Sequence, residues 1–341
     1  MLDVGFRAMK KVISGLFFSL LLTLLPSFSA YAVQYGQDAT GDPNVVKVRG
    51  GSGFLYSERI ILTVAHVIDT SGGVTEWERD GVIYNPGIVT IAGEKTYKVK
   101  KVLIPTSYSK PDFDKTFQSI QGVDDLAVII LSEDMPIAKQ ATMATEEQMN
   151  RFAAEKSKVE LVGYGMTDAS QKNVQWEERI NRSPNKLIST LLSPKLVVES
   201  LKRYPNVDWR KIETMGVYGV VQDSKLRQGH ICDGDSGSVF FVEENNIRYV
   251  LGTTGLGITN DCSPPEGGHG LPSISLIDPS SKLKDLLRTA EKIVEEDKNA
   301  EMLKTKAALS KKLIITCVKG KLTKKITALK PKCPAGFKKK P

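Results

Sequence analysis

Three short stretches hold residues whose types could work together chemically. In Leu62-Thr63-Val64-Ala65-His66-Val67 a histidine ends a strand-like run, and in Asp124-Asp125-Leu126-Ala127-Val128-Ile129-Ile130-Leu131 acids stand directly before an apolar run. In Cys232-Asp233-Gly234-Asp235-Ser236-Gly237-Ser238 a serine lies among glycines. A serine hydroxyl is a poor nucleophile at neutral pH until an adjacent base takes its proton. An imidazole, with an ordinary pKa of about 6.5, can take that proton and return it to a leaving group. A buried carboxylate fixes the imidazole's tautomer and stabilises its cation. Glycines beside the serine let backbone N–H groups approach a developing oxyanion. Each stretch alone is ordinary: most histidines are structural, an acid before a strand is usually solvated, and Gly-Asp-Ser-Gly is commonly a turn. Their order is more informative. Other hydrolase architectures run acid, histidine, serine or serine, acid, histidine. The Gly-x-Ser-x-Gly elbow of the second of these also fails here, because position 238 is Ser.

The scaffold that must position these residues reads as mainly β. Segments rich in β-branched and aromatic residues run over Val45–Val48, Ile60–Val64, Val82–Ile91, Tyr97–Ile104, Leu126–Leu131, Val159–Tyr164, Val217–Val221, Val239–Val242 and Tyr249–Thr254, separated by Gly, Pro, Asn and Asp clusters. Many short strands with turn signals point to an all-β sandwich or barrel. A helix is expected from Ser280 to about Leu309, where Leu283, Leu286, Leu287, Ala290, Ile293 and Val294 recur at helical spacing. Composition fits this picture. The chain has 341 residues, 41% hydrophobic and 25% charged, which argues against a mainly disordered, collagen-like or polytopic membrane protein.

Charge is unevenly distributed. The formal net +8 divides into +2 over residues 1–32, +12 over residues 282–341 and −6 between them, so the chain does not look like a general nucleic-acid binder. At the start, Lys10 and Lys11 precede the mostly apolar run Val12–Leu25, and Ala30-Tyr31-Ala32 follows. Those are the parts of a secretory signal peptide. The run is shorter than the roughly 20 apolar residues of a membrane anchor. Cleavage after Ala32 would start the mature chain at Val33-Gln34-Tyr35-Gly36 and place it outside the cytoplasm, extracellular or periplasmic. The four cysteines would then meet an oxidising compartment.

Taken together, Thr63-Val64-Ala65-His66, Asp125-Leu126-Ala127 and Gly234-Asp235-Ser236-Gly237 resemble the sequence around the histidine, acid and nucleophile of the chymotrypsin/trypsin family of serine peptidases, in a secreted bacterial version. Gly163-Tyr164-Gly165 is similar to the family's Gly-Trp-Gly, and Gly252-Thr253-Thr254-Gly255-Leu256-Gly257 to the strand lining its substrate cleft. The resemblance spans Val33 to roughly Leu287, about three-quarters of the chain. It implies two antiparallel six-stranded β-barrels, with His66 and Asp125 on the first and Ser236 on the second. Ser236 would be the nucleophile, His66 the general base and acid, and Asp125 the orienting carboxylate, preferred to Asp124 because it directly precedes the Leu-Ala-Val run. The N–H groups of Gly234 and Ser236 would form the oxyanion hole.

Further expectations follow from the same resemblance. A freshly cut N-terminus pairs, in the family, with the Asp before the nucleophile, here Val33 with Asp235. The base of the primary pocket is His230, so cleavage after Arg or Lys is not expected; Leu256, Gly257 and Gly270 would shape the walls. Cys232 and Cys262 match the disulfide that braces this pocket, leaving Cys317 and Cys333 to pair in the tail, a bridge worth about 3 kcal/mol in the chain-entropy model. The family's disulfide beside the histidine is missing, its positions being Gly51 and Val67.

Residues 302–341 hold 13 Lys and no Asp or Glu. Leu313–Val318 and Leu322–Thr327 around Gly320 read as a hairpin, and the ending resembles those of other secreted bacterial proteins. It reads either as a solubilising extension or as an adhesive for an anionic cell surface, weakened by salt. The expected organisation is a signal peptide over 1–32 and a trypsin-like domain over 33–295, followed by a helical, basic, Cys-containing extension over 296–341. Within that domain, barrel one spans about 33–150 and barrel two about 151–280, before the C-terminal helix. The expected function is a secreted, monomeric serine endopeptidase that acts on protein or peptide substrates, needs no cofactor or metal and has no specific nucleic-acid partner. The alternatives are a catalytically silent binding module and an adhesin that works through the tail.

Overall fold

The computed structural model describes residues 33, 36–48, 51–69, 88–91, 96–108, 124–136, 139–166, 183–203, 209–222, 231–232, 234–254, 257–258, 273–277, 281–310 and 313–340. Five helices and eighteen strands fall within them.

Six strands make the first half: β2 (Val45–Val48), β3 (Gly51–Ser57), β4 (Ile60–Thr63), β5 (Ile88–Ile91), β6 (Thr96–Leu103) and β7 (Ala127–Leu131). They pair in a closed ring, β2-β3-β4-β7-β6-β5, antiparallel throughout. Val46, Leu55, Ile61, Tyr97, Val99 and Ile129 fill its interior. Closure leaves no unpaired strand edge. β7 is buried at all five positions, which explains its unbroken apolar sequence: one face lies inside the ring and the other is covered from outside.

The second half is a nine-stranded sheet. Its path is β14 (Gly257–Ile258), β15 (Ser273–Ile277), β11 (Tyr218–Gln222), β10 (Asn185–Leu192), β9 (Lys158–Gly163), β12 (Val239–Glu244), β13 (Ile247–Thr253) and β8 (Gln140–Met143), with β1 (Gln37–Asp38) also on β10. Leu161, Leu187, Val220 and Phe240 pack in its core with Val33. The division of the body therefore differs from that expected around residue 150. Residues 140–143 pair in parallel with β13, and Gln37 and Asp38 pair with β10, so both segments belong to the second half.

Between the halves lies a third apolar cluster. Phe54, Leu62 and Val128 from the ring meet Val162, Phe241 and Val250 from the sheet. A buried ion pair reinforces this seam. Arg248 on β13 donates twice to Asp42, at 2.7 Å each, and once to Asn44 at 3.1 Å.

Three short helices flank the sheet or the ring: α1 (Ala65–Asp69), α3 (Pro194–Leu201) and α4 (Trp209–Met215). Another, α2 (Glu146–Glu155), starts at a capping box in which Thr145 and Gln148 bond reciprocally. The long helix α5 (Ser281–Ser310) buries Leu283, Leu287 and Ala290 in the central cluster. Its polar side is strapped to the ring. Lys282 pairs with Asp124 and Asp297 with Lys100; Lys298 reaches Glu58 at 2.6 Å. Arg59 grips Glu301 bidentately at 2.9 and 3.0 Å. The helix is unbroken across the expected boundary at 295/296 and leaves the body after Glu301, since residues 302–308 are all exposed.

The tail is more than a hairpin. β16 (Leu313–Lys319), β17 (Leu322–Ala328) and β18 (Lys338–Lys339) form a sheet ordered β17-β16-β18, closed by a Cys317–Cys333 disulfide.

Candidate active site

The ladder between β4 and β7 puts Thr63 opposite Ala127. His66 lies three residues beyond Thr63, in α1, and Asp125 lies two before Ala127, so pairing of neighbouring strands delivers both to one end of the ring. The Asp125 carboxylate takes two bonds from one residue: Oδ1 accepts from the His66 backbone N–H at 2.8 Å, and Oδ2 lies 2.5 Å from Nδ1. Two attachment points fix both the position and the plane of the imidazole. With Nδ1 facing a carboxylate, the tautomer that satisfies the contact carries its proton there and leaves a lone pair on Nε2. Asp124 faces the other way. Its backbone is left-handed, φ 45°, a conformation Asp tolerates better than most residues, and its side chain pairs with Lys282 of α5. Asp125, not Asp124, is therefore the acid against the histidine.

Ser236 stands on a loop held by buried side chains as well as by backbone bonds. Asp235 is fully buried; its Oδ1 accepts from Gly165 N–H at 2.7 Å and its Oδ2 from Cys232 N–H at 2.9 Å. A Cβ on Gly165 would come within 2.3 Å of that carboxylate, so Gly163-Tyr164-Gly165 is small where the acid needs room. Gly237 has φ +90° and would bring a Cβ within 2.1 Å of the Ser52 carbonyl; both facts require glycine there. The loop N–H groups of Asp235, Gly237 and Ser238 donate to the carbonyls of Cys232, Thr254 and Asp235. Among the described residues, those of Gly234 and Ser236 have no backbone carbonyl acceptor.

Ser52 joins the two halves. It is fully buried on β3, its N–H donates to the Ser236 carbonyl at 2.8 Å, and its hydroxyl donates to the Gly234 carbonyl at 2.8 Å while accepting from Tyr164 N–H at 2.9 Å. Its own carbonyl accepts from the Thr63 hydroxyl at 2.9 Å, on the strand that leads to His66. In the sequence this serine stands between two glycines, Gly51 and Gly53, with nothing of its own to single it out. The signal lay in the strand that it begins.

A family model described as Trypsin matches residues 34–276. The chain belongs to the trypsin family. No curated protein matched it. The match covers the ring, the sheet and the loop bearing Ser236, so this trypsin-family fold brings together at least His66 and Asp125, and ties the Ser236 loop to the same ring through Ser52. Where the family's disulfide beside the histidine would lie, the Val67 side chain fills the space facing Gly51, 2.6 Å from a Cβ built there.

Val33 is wholly buried in the second-half core, on the same side of the molecule's division as Asp235. Sequence reasoning also missed Asn185 and Ser238. Both are buried, and Asn185 Oδ1 and Nδ2 and Ser238 Oγ have no hydrogen-bond partner among the described residues. Gly163 lies opposite Asn185 in the ladder, and a Cβ on it would fall 2.2 Å from Asp235 Oδ1 and 2.6 Å from Ser238 Oγ. Asp235 Oδ1 and Ser238 Oγ thus both lie against Gly163. Cys232 is buried. His230, Leu256, Gly270 and Cys262 lie outside the described residues, as does residues 82–87 of an expected strand, and Gly257 lies on the short β14.

Proposed function

We propose that the protein is a secreted serine endopeptidase, and the two-point contact of Asp125 with His66 is the observation that carries this reading. Ser236 Oγ attacks the scissile carbonyl carbon while its proton passes to His66 Nε2. The resulting oxyanion accepts the N–H groups of Gly234 and Ser236. Collapse of the tetrahedral adduct breaks the C–N bond, and the departing amine takes the proton from His66, leaving an acyl-enzyme. Water, deprotonated by the same imidazole, then releases the acid and restores Ser236. The second half completes this site as a second six-stranded barrel built from β9, β10, β11, β12, β13 and β15. By the family pattern, the base of the primary pocket is assigned to His230, its walls to Leu256, Gly257 and Gly270, and the bridge beneath it to Cys232 and Cys262.

Activation is coupled to removal of the signal peptide. Val33 has φ +54°, strained backbone for a β-branched residue; a cut before it removes the preceding carbonyl and the strain together. The new ammonium has three N–H donors, and Asp235, Asn185 Oδ1 and Ser238 Oγ offer acceptors.

Labelling of the purified protein with a fluorophosphonate, read by intact mass beside Ser236→Ala, tests the reading. A single adduct that vanishes in the variant supports it. No adduct on a chain whose mass starts at Val33 would overturn it and bring forward a silent binding module. A variant carrying one extra residue before Val33 should lose the adduct.

A further inference from the structure

Six of the seven large hydrophobic side chains exposed among the described residues lie in one short stretch: Met302, Leu303, Leu313, Ile314, Leu322 and Leu329. That stretch belongs to residues 302–341, which hold 13 Lys and no acid. Exposed aliphatics and unopposed lysines coincide nowhere else in the described structure, and they occur where the helix has left the body.

Register shows how the tail presents them. On β16 the middle of the Cys317 face is covered, because the bridge to Cys333 crosses it and Lys324 lies 5.2 Å over the Phe337 ring, while Leu313 and Leu322 stand exposed at its two ends. Ile314, Thr316 and Val318 point to the opposite face. Their cross-strand partners are Thr327, Lys325 and Thr323 on β17, with Lys338 of β18 beside Val318. Ile314 is 66% exposed there, and Thr323, Lys325, Thr327 and Lys338 are exposed around it. The disulfide gives this small sheet a fixed shape that its few apolar contacts could not.

We propose that the tail is a docking module for an anionic phospholipid surface. A soluble polyanion would neutralise the lysines but leave the aliphatic side chains in water. A bilayer interface takes both, apolar groups at the headgroup–acyl boundary and ammonium groups among the phosphates. A second copy of the tail does not fit, because it would bring two acid-free lysine clusters together. The proposal needs no peptidase activity and stands or falls separately from it.

The test is flotation of the full mature chain with vesicles of phosphatidylcholine and phosphatidylglycerol at roughly three to one, against phosphatidylcholine alone. Binding to the anionic vesicles only, weakened by salt, is expected. The triple variant Leu313→Ser, Ile314→Ser, Leu322→Ser keeps every charge and should lower partitioning at least about tenfold. A second triple variant, Lys321→Gln, Lys325→Gln, Lys338→Gln, keeps every aliphatic and should lower it too. Intact mass confirms the Cys317–Cys333 bridge in each. Undiminished binding by the aliphatic variant would overturn the proposal in favour of a polyanion. Absence of vesicle binding by the unaltered chain would also overturn it.

Discussion

The two halves of the molecule hold their parts of the site by different means. In the ring, His66 and Asp125 follow from the ladder between β4 and β7, a continuous row of backbone pairs. In the sheet half, the Ser236 loop adds to its own backbone bonds a few buried side chains, chiefly Asp235 and, from across the seam, Ser52. Precision in the first half is distributed and in the second concentrated. Single substitutions should therefore damage the serine far more readily than the histidine.

Gly165→Ala is the sharpest way to break that contrast. Its Cβ would strike the Asp235 carboxylate, and misplacement by about 1 Å costs on the order of a hundredfold in rate. Fluorophosphonate labelling should slow by that much, while the downfield proton resonance of His66 Nδ1 stays in place. Loss of both together would show that the halves are not separately supported.

Next in size is Asp42→Asn at the seam. Removing one partner of a buried pair costs about 3 kcal/mol, measurable by urea unfolding at neutral pH. Burial pushes the Asp42 carboxyl up, but its bonds and attraction to Arg248 outweigh this and hold it below the usual range. Its contribution is therefore complete above its unfolded pKa of about 3.9 and is lost as pH falls through the lower folded value. The variant should lose stability less steeply in that acid window than the parent.

Ser52→Ala leaves the Gly234 carbonyl and Tyr164 N–H without their partner. It should cost about 2 kcal/mol and slow labelling about tenfold, again with the His66 resonance unmoved. The smallest effect is expected of Lys282→Met. Its pair with Asp124 braces the residue before the acid, and about a fivefold fall in labelling rate is expected, with the melting temperature nearly unchanged because the lysine is half exposed. Lys282→Arg should restore the rate.

What could be read in advance divides along the same line. β2 was legible to the residue, and β4, β6, β7, β9, β12 and α5 to within a few, because each shows its period or an unbroken apolar run. β3 was hidden by its opening Gly-Ser-Gly. The alternating burial of β10 was masked by Lys186, Ser189 and Thr190 among its aliphatics. α2 carried a readable start in Thr145-Glu146-Glu147-Gln148, a capping-box pattern. β8 was beyond reach, since its parallel pairing depends on a strand more than a hundred residues away. At the site, residue types and order pointed to His66, Asp125 and Ser236. Ser52, Asn185 and Ser238 gave no such signal, because what sets them apart is burial, which single residues do not announce.

The two ends of the described body are exchanged between its halves. The N-terminal strand β1 and Val33 lie in the second sheet, and the helix α5, from the other end of the domain, lies across the first ring. Each half is thus fastened by a segment from the far side of the other, as two boards are held by a dovetail cut in both. A protease nick in the connection between them would sever the chain without parting the particle. It follows, too, that a ribosome must deliver nearly the last of this domain before the first barrel gains its outer cover.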